Sequence, residues 1–157
     1  MASKRLALLN EVFARLNATG KPTGLTVERF RLPDIEESEI NHLNIAGWSE
    51  TVTRAIEEKR SPLASRAATL ILEARALKKD AETVDASIDA QLVWITKQMM
   101  SITTGGQTVA DFTLGGKALK VFEVSTEFTG DETGIAAVLA TRTYLIEYTT
   151  KSESEES

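Results

Sequence analysis

The sequence predicts an α+β fold, a mostly antiparallel sheet of four to five strands with two main helices packed on one face. Three observations carry that prediction. Two stretches, at the start and in the middle of the chain, repeat apolar residues at three- and four-residue steps. The segments between and after them alternate at period two or run rich in β-branched and aromatic residues. Their order (helix, strand, strand, strand, helix, strand, strand) leaves strands next to strands that can pair antiparallel. The 157 residues, 42% hydrophobic and 26% charged, fit one domain over 1–150. The tail, 151–157, is rich in serine and glutamate and reads as disordered.

The first helix rests on Leu6, Leu9, Phe13 and Leu16, with Val12 beside them. Ser3 is its expected N-cap, because the hydroxyl can accept a backbone N–H that the first turn leaves unpaired. Gly20 and Pro22 close it. Leu25 to Leu32 reads as a strand with Val27 and Phe30 as bulky members, ended by Pro33. Asp34 to Glu39 is an acidic turn region. Leu43, Ile45 and the Gly47-Trp48 pair suggest a short strand with a bend, and 47–64 reads as a long charged excursion from the sheet, broken by Ser61-Pro62.

From Arg66 to Leu77, the residues Ala68, Leu70, Leu72, Ala74 and Ala76 share one face of a strand, while Glu73 and Arg75 fall on the other. Lys78-Lys79-Asp80 turns into the second helix, Ala81 to Ser101, whose stripe is Val84, Ile88, Leu92, Ile95 and Met99. Asp85 and Asp89 occupy its wet side, early enough to suit the helix dipole. Thr104-Gly105-Gly106 ends it, and Leu114-Gly115-Gly116 marks a second bend. Two strands follow: one sets Phe122, Val124 and Phe128 on a face opposite Glu123, Ser125 and Glu127, and the other runs from Ile135 to Thr149. The loop from Thr129 to Gly134 joins them as a hairpin.

Composition narrows the chemistry. With no cysteine, the chain has no disulfide, thiolate nucleophile or thiolate metal site, a composition that suits a reducing cytoplasm. Met1 to Arg5 is polar and basic and leads into an amphipathic stretch, so no secretory signal is expected. No apolar run approaches the roughly 20 residues of a membrane span. A formal charge of −5 argues against a broad basic face for DNA, because phosphate neutralisation dominates such binding. No direct sequence-specific nucleic-acid binding is expected.

Catalytic constellations are not found. His42 is the only histidine, so a histidine metal cluster and an H-E-x-x-H helix are excluded. A serine triad would need His42, yet no G-x-S-x-G turn accompanies a serine, and a histidine near the surface at a turn is the simpler reading. A P-loop ending at Gly116-Lys117 would need glycine where Asp111 stands and a hydroxyl where Ala118 stands. The carboxylates fall in runs or on a polar helix face, as solvated groups do. The sequence therefore assigns no catalytic residue, metal or cofactor. Trp48, close to Arg54, Lys59 and Arg60, has the composition of an interface hot spot, and Trp48 pinning its loop to the sheet is the competing reading.

Four segments, taken in order, give the second half a family likeness. They are Ala68-Thr69-Leu70-Ile71-Leu72-Glu73-Ala74; Val84-Asp85-Ala86-Ser87-Ile88-Asp89, continuing through Trp94-Ile95; Leu114-Gly115-Gly116-Lys117-Ala118; and Tyr144-Leu145-Ile146-Glu147-Tyr148-Thr149. Over 66–150 the chain resembles the bacteriophage tail terminator family, which includes the minor tail protein U of lambda-like phages. The amino-terminal helix and first strand agree in kind. The region 34–64 departs, being acidic and charged where family members often have a proline-rich approach to the second strand.

The resemblance implies a structural, non-enzymatic virion protein. Such a protein caps the tail tube as a ring, expected to be a hexamer, terminates tube polymerisation and offers a surface for head-tail joining. Its implied partners are its own copies, the tail tube protein and a head-completion or connector protein. Its implied location is the neck region of the virion tail, with assembly in the host cytoplasm. Three alternatives remain at this stage: another neck component, a small metal-dependent enzyme using carboxylates such as Asp85 or Asp89, and a dimeric ligand-binding domain.

Overall fold

A computed structural model of the protein describes residues 3–30, 41–56, 63–77, 81–130 and 137–151. Helix α1 (Lys4–Leu16) leads into strands β1 (Leu25–Arg29), β2 (Asn41–Ile56) and β3 (Leu63–Leu77). Helix α2 (Ala81–Met100) runs directly into a small hairpin, β4 (Ser101–Thr104) and β5 (Gln107–Ala110). Strands β6 (Lys120–Gly130) and β7 (Ala137–Lys151) complete the fold. The main sheet has the order β1-β2-β3-β7-β6; β1 pairs parallel to β2 and every other neighbour is antiparallel. The fold is α+β, as expected.

Ser3 caps α1 by accepting the Leu6 N–H at 3.2 Å. The buried face of that helix is Leu8, Leu9, Val12 and Leu16, which corrects the expected stripe. Leu6 is 44% exposed and Phe13 is only partly buried, because the helix turns the Leu8–Val12 line rather than the Leu6–Phe13 line toward the sheet. In α2, Ile88, Leu92, Ile95 and Met99 are buried as the periodicity predicts. Trp94 ties the helices together, donating its indole N–H to the Leu16 carbonyl at 2.8 Å.

Both helices cover the same face of the sheet. That face carries Ala68, Leu70, Leu72, Ala74 and Ala76 on β3 and Ala140, Tyr144, Ile146 and Tyr148 on β7, all buried. Removing such side chains from water stabilises the fold by about 1.5–3 kcal/mol for each large aliphatic one.

Several expectations change. The expected excursion over 47–64 is a continuation of the sheet where it is described: β2 runs to Ile56 and β3 begins at Leu63, paired along their length with register shifts at Ile45/Gly47 and Val52/Arg54, and 57–62 lies outside the described residues. Mixed charge hid this pairing, since the face of an antiparallel sheet turned from the helices stays wet and tolerates charge. His42 is not a surface turn residue. It is a fully buried strand residue, its Nε2 lying 3.8 Å from a Glu28 carboxylate oxygen. The first strand stops at Arg29, and Phe30 adopts a left-handed φ of 55°.

The faces of β6 also differ from the expectation. A register shift between Glu123 and Ser125 places a bulge at Val124. One extra residue exchanges the two faces, so Phe122 and Phe128 point to opposite sides. Val121 is buried, while Val124 and Phe128 are 58% and 62% exposed. Gly105-Gly106 turns a hairpin rather than simply ending a helix, with φ of 60° and 80° at the two positions. Such angles suit the two-residue turns that join twisted strands, and only glycine adopts both freely. The acidic segment 34–39, the turns at 78–80 and 131–134, Pro33, Ser61-Pro62 and the tail beyond Lys151 lie outside the described residues.

Candidate interaction surface

Two half-buried carboxylates, Glu50 and Asp111, each gather a set of side-chain and backbone donors. Glu50 projects from β2 onto the helix-covered face, opposite Ala68. Arg5, from the start of α1, grips it with Nε and Nη2, each donating at 2.8 Å to a different oxygen. The Trp48 indole N–H donates at 2.8 Å, the Tyr148 hydroxyl donates a further bond, and Arg66 Nη1 stands 3.5 Å away. Burial alone would raise the Glu50 carboxyl, but the bonds from Arg5, Tyr148 and Trp48 and the charge of Arg5 outweigh it. They lower it from 4.5 to about 2. Burial and the neighbouring carboxylate together push the Tyr148 phenol up.

Asp111 organises the other end of the helical layer. Its Oδ1 accepts from the Thr113 amide at 3.0 Å and hydroxyl at 2.7 Å. Oδ2 accepts from the Gly115 amide at 2.8 Å and from Arg15 Nη2 at 3.0 Å. Here too burial works upward and is overcome, by Thr113, Gly115 and Arg15, leaving the carboxyl at about 2 against an ordinary 3.8. Arg15 is itself 8% exposed. Its Nη1 donates to the Gln98 and Ser101 carbonyls, each at 3.1 Å, and its Nε to Glu11 at 2.9 Å. One arginine thus satisfies the carbonyls where α2 gives way to β4 and holds the loop that leads to β6.

From that fixed root the β4–β5 hairpin projects. Thr103, Thr104 and all of β5 are exposed, and Ser101 to Ala110 contains no charged residue. Val109 and Phe112 are 51% and 53% exposed. A third arginine, Arg142, is buried between α2 and β6. It donates to the Leu92 carbonyl at 3.1 Å, to Thr96 at 2.7 Å and to Thr126 at 2.9 Å, and pairs with Glu123 at 2.7 Å. Beside it two adjoining surface hollows share Asp89 and Leu92. One reaches Val93, Thr96 and Lys97, and the other reaches Asp85, Ile88, Phe128 and Val138.

The residues singled out from the sequence are distributed as follows. Trp48 lies in β2, partly buried against the core, with its N–H committed to Glu50. Arg54 lies further along β2, opposite Ser65, and its side chain is outside the described set. Lys59 and Arg60 lie outside the described residues. Sequence reasoning missed Glu50 and Asp111. Glu50 carries no local signal, because Arg5 and Tyr148 stand 45 and 98 positions away. Asp111 did carry one: an aspartate followed by threonine two positions later and by a glycine pair is a side-chain-closed turn. Among the described residues, no group of three or more His, Asp or Glu could hold a metal ion, and no helix is long and apolar enough to cross a membrane.

No protein-family model matches the chain, and no curated protein matches it. Among solved structures it is similar to a chain of the virion of a native gene transfer agent particle, with 12% identity and a TM-score of 0.47, covering 92% of this chain and 90% of that one. A likeness at that level fixes neither family nor activity.

Proposed function

We propose that the protein is a virion structural subunit of the tail terminator kind. It would close the tail tube as a ring of six, stop tube polymerisation and present the surface to which the head joins. One observation carries this reading. The four segments on which the tail terminator resemblance rests form one continuous piece of the fold: β3 and β7 are neighbours, α2 packs across them, and the 114–118 bend leads into β6 beside β7.

The remaining surface supports an assembly role. Val93, Phe112, Leu119, Val124 and Phe128 are exposed apolar side chains that contacts with other virion subunits could cover. The test is to mix the purified protein with tail tubes and image the tube ends by electron microscopy. Ring-capped tubes that no longer lengthen when tube subunits are added are the expected result. Bare ends and unaltered growth would overturn the proposal, and binding to isolated heads but not to tubes would replace it with a different neck component.

A further inference from the structure

We propose that the hollow between α2 and the starts of β1 and β2 is a binding site for a primary alkylammonium group, seated on the side-chain carbonyl oxygens of Asn41 and Gln91. The group is that of a lysine side chain or of a free alkylamine, and the site does not depend on the ring reading above.

The hollow measures about 510 Å³ and is walled by Pro22 and Thr23 ahead of β1, by Asn41 at the first position of β2, and by Ser87, Ala90 and Gln91 of α2. Thr23 and Ala90 are exposed, so it opens to solvent, while Gln91 is 1% exposed. Gln91 Nε2 donates to the Arg75 carbonyl at 3.1 Å, which fixes the amide and leaves Oε1 without a donor. Asn41 pairs with Ala76, the residue after Arg75, and shares with it the helix-covered face, so its side chain turns toward α2. Asn41 Oδ1 is likewise buried with no donor among the described residues. A buried acceptor left unpaired is costly, and most such oxygens in folded proteins are met by a protein group or by something bound. Two of them on one hollow mark a place built for a donor.

The lining decides the class of donor. None of the described lining residues carries a charge, and the hydroxyls of Thr23 and Ser87 can accept as well. An ammonium brings donors and no acceptor, which matches a wall of oxygens, whereas an anion would meet acceptors only. Asp85 and Asp89 each stand one position before a lining alanine, Ala86 and Ala90, about 100° round the helix. Both are exposed, and their charge makes that side of the hollow negative. Lys21, beside Pro22, is turned away and gives its ammonium to Asn17 Oδ1 at 2.6 Å. Charge-assisted hydrogen bonds are roughly twice as strong as neutral ones, which favours an ammonium over water or a neutral amide. The apolar walls at Pro22, Ala86 and Ala90 suit the alkyl stem behind such a group.

The full chain, isotope-labelled on nitrogen, is titrated with n-butylammonium chloride while the side-chain amide signals of Asn41 and Gln91 are followed by NMR. A saturable shift of both is expected, with none from n-butyltrimethylammonium, which has the same charge and no N–H. Asn41→Ala, read at Gln91, is expected to weaken binding about tenfold, the loss of one charge-assisted bond. Asn41→Asp is expected to tighten it by about the same factor, with the backbone signals of β3 and β7 unmoved in both variants. Nα-acetyl-lysine amide that binds as well as n-butylammonium assigns the site to a partner's lysine, and its exclusion assigns it to a free amine. Absence of a saturable shift with n-butylammonium, an equal shift with the trimethyl compound, or an Asn41→Asp protein that binds no more tightly would overturn the proposal and leave the two oxygens to water alone. None of these readings involves tail tubes, so each leaves the ring reading where it stands.

Discussion

Glu50 and Asp111 are two carboxyl groups whose pKa is lowered to about the same value, and they hold the molecule in different ways. Each is met by an arginine from α1, Arg5 at its start and Arg15 at its end, so one helix is fastened at both ends. Around Glu50 the donors come from α1, β2 and β7, and the group closes tertiary structure. Around Asp111 the Thr113 and Gly115 donors are local, and the group shapes a loop and the root of a hairpin. A carboxylate fed by distant side chains loses many partners' satisfaction when removed. One fed by its own backbone loses mainly a turn. The two should therefore separate under mutation, pH and exchange.

The largest expected effect is at Glu50. Glu50→Ala leaves Arg5, Arg66, Trp48 and Tyr148 facing a partly buried void, and breaking such a pair from one side typically costs about 3–5 kcal/mol. Urea unfolding should show a loss of about 3 kcal/mol or more, and Glu50→Gln a smaller one. A loss below about 1 kcal/mol would mean that water replaces the network. The pH dependence follows from the same group. Its folded pKa of about 2 lies below the ordinary 4.5, so its stabilisation is present above pH 4.5 and is lost as pH falls toward 2. Asp111 adds a similar loss between 3.8 and about 2. Unfolding midpoints measured from pH 6 to pH 2 should fall steeply, and Glu50→Gln should flatten the upper part of that fall.

What could be read beforehand follows the same division between local and distant. The helix of Ile88, Leu92, Ile95 and Met99 and the strand of Ala68 to Ala76 were legible because burial repeats within one element. The β2–β3 extension was not, since its charged members read as loop. The β4–β5 hairpin could have been seen in the β-branched residues flanking Gly105-Gly106, but the preceding helix drew the glycines into service as its terminator. The faces of β6 depended on a bulge at Val124, which no pattern of period two announces. The Trp48 indole N–H is given to Glu50 two positions on, a bond that spacing alone does not announce.

Asp111→Asn should be milder. Arg15 keeps the Gln98 and Ser101 carbonyls and Glu11, and an amide can still accept from Thr113. A loss of about 1–2 kcal/mol is expected, consistent with one charge-assisted network weakened. Its signature should be regional: amide exchange rising through β4, β5 and the 111–118 loop while β3 and β7 stay protected. Uniform acceleration across the sheet would mean that Asp111 supports the whole fold, and the contrast with Glu50 would vanish.

The smallest effect should come from the carboxylates that sequence patterning placed on the wet side of α2. Asp85 and Asp89 are exposed, and no salt bridge or hydrogen bond draws on either among the described residues. Replacing each by Asn removes a charge that interacts weakly with the helix dipole, a matter of a few tenths of a kcal/mol. Exposed changes of this type stay within about 0.5 kcal/mol. That null result separates assembly from chemistry. A carboxylate-bound metal enzyme would lose a metal-dependent activity on either exchange with stability unchanged, and finding such a loss would redirect attention to the exposed face of α2.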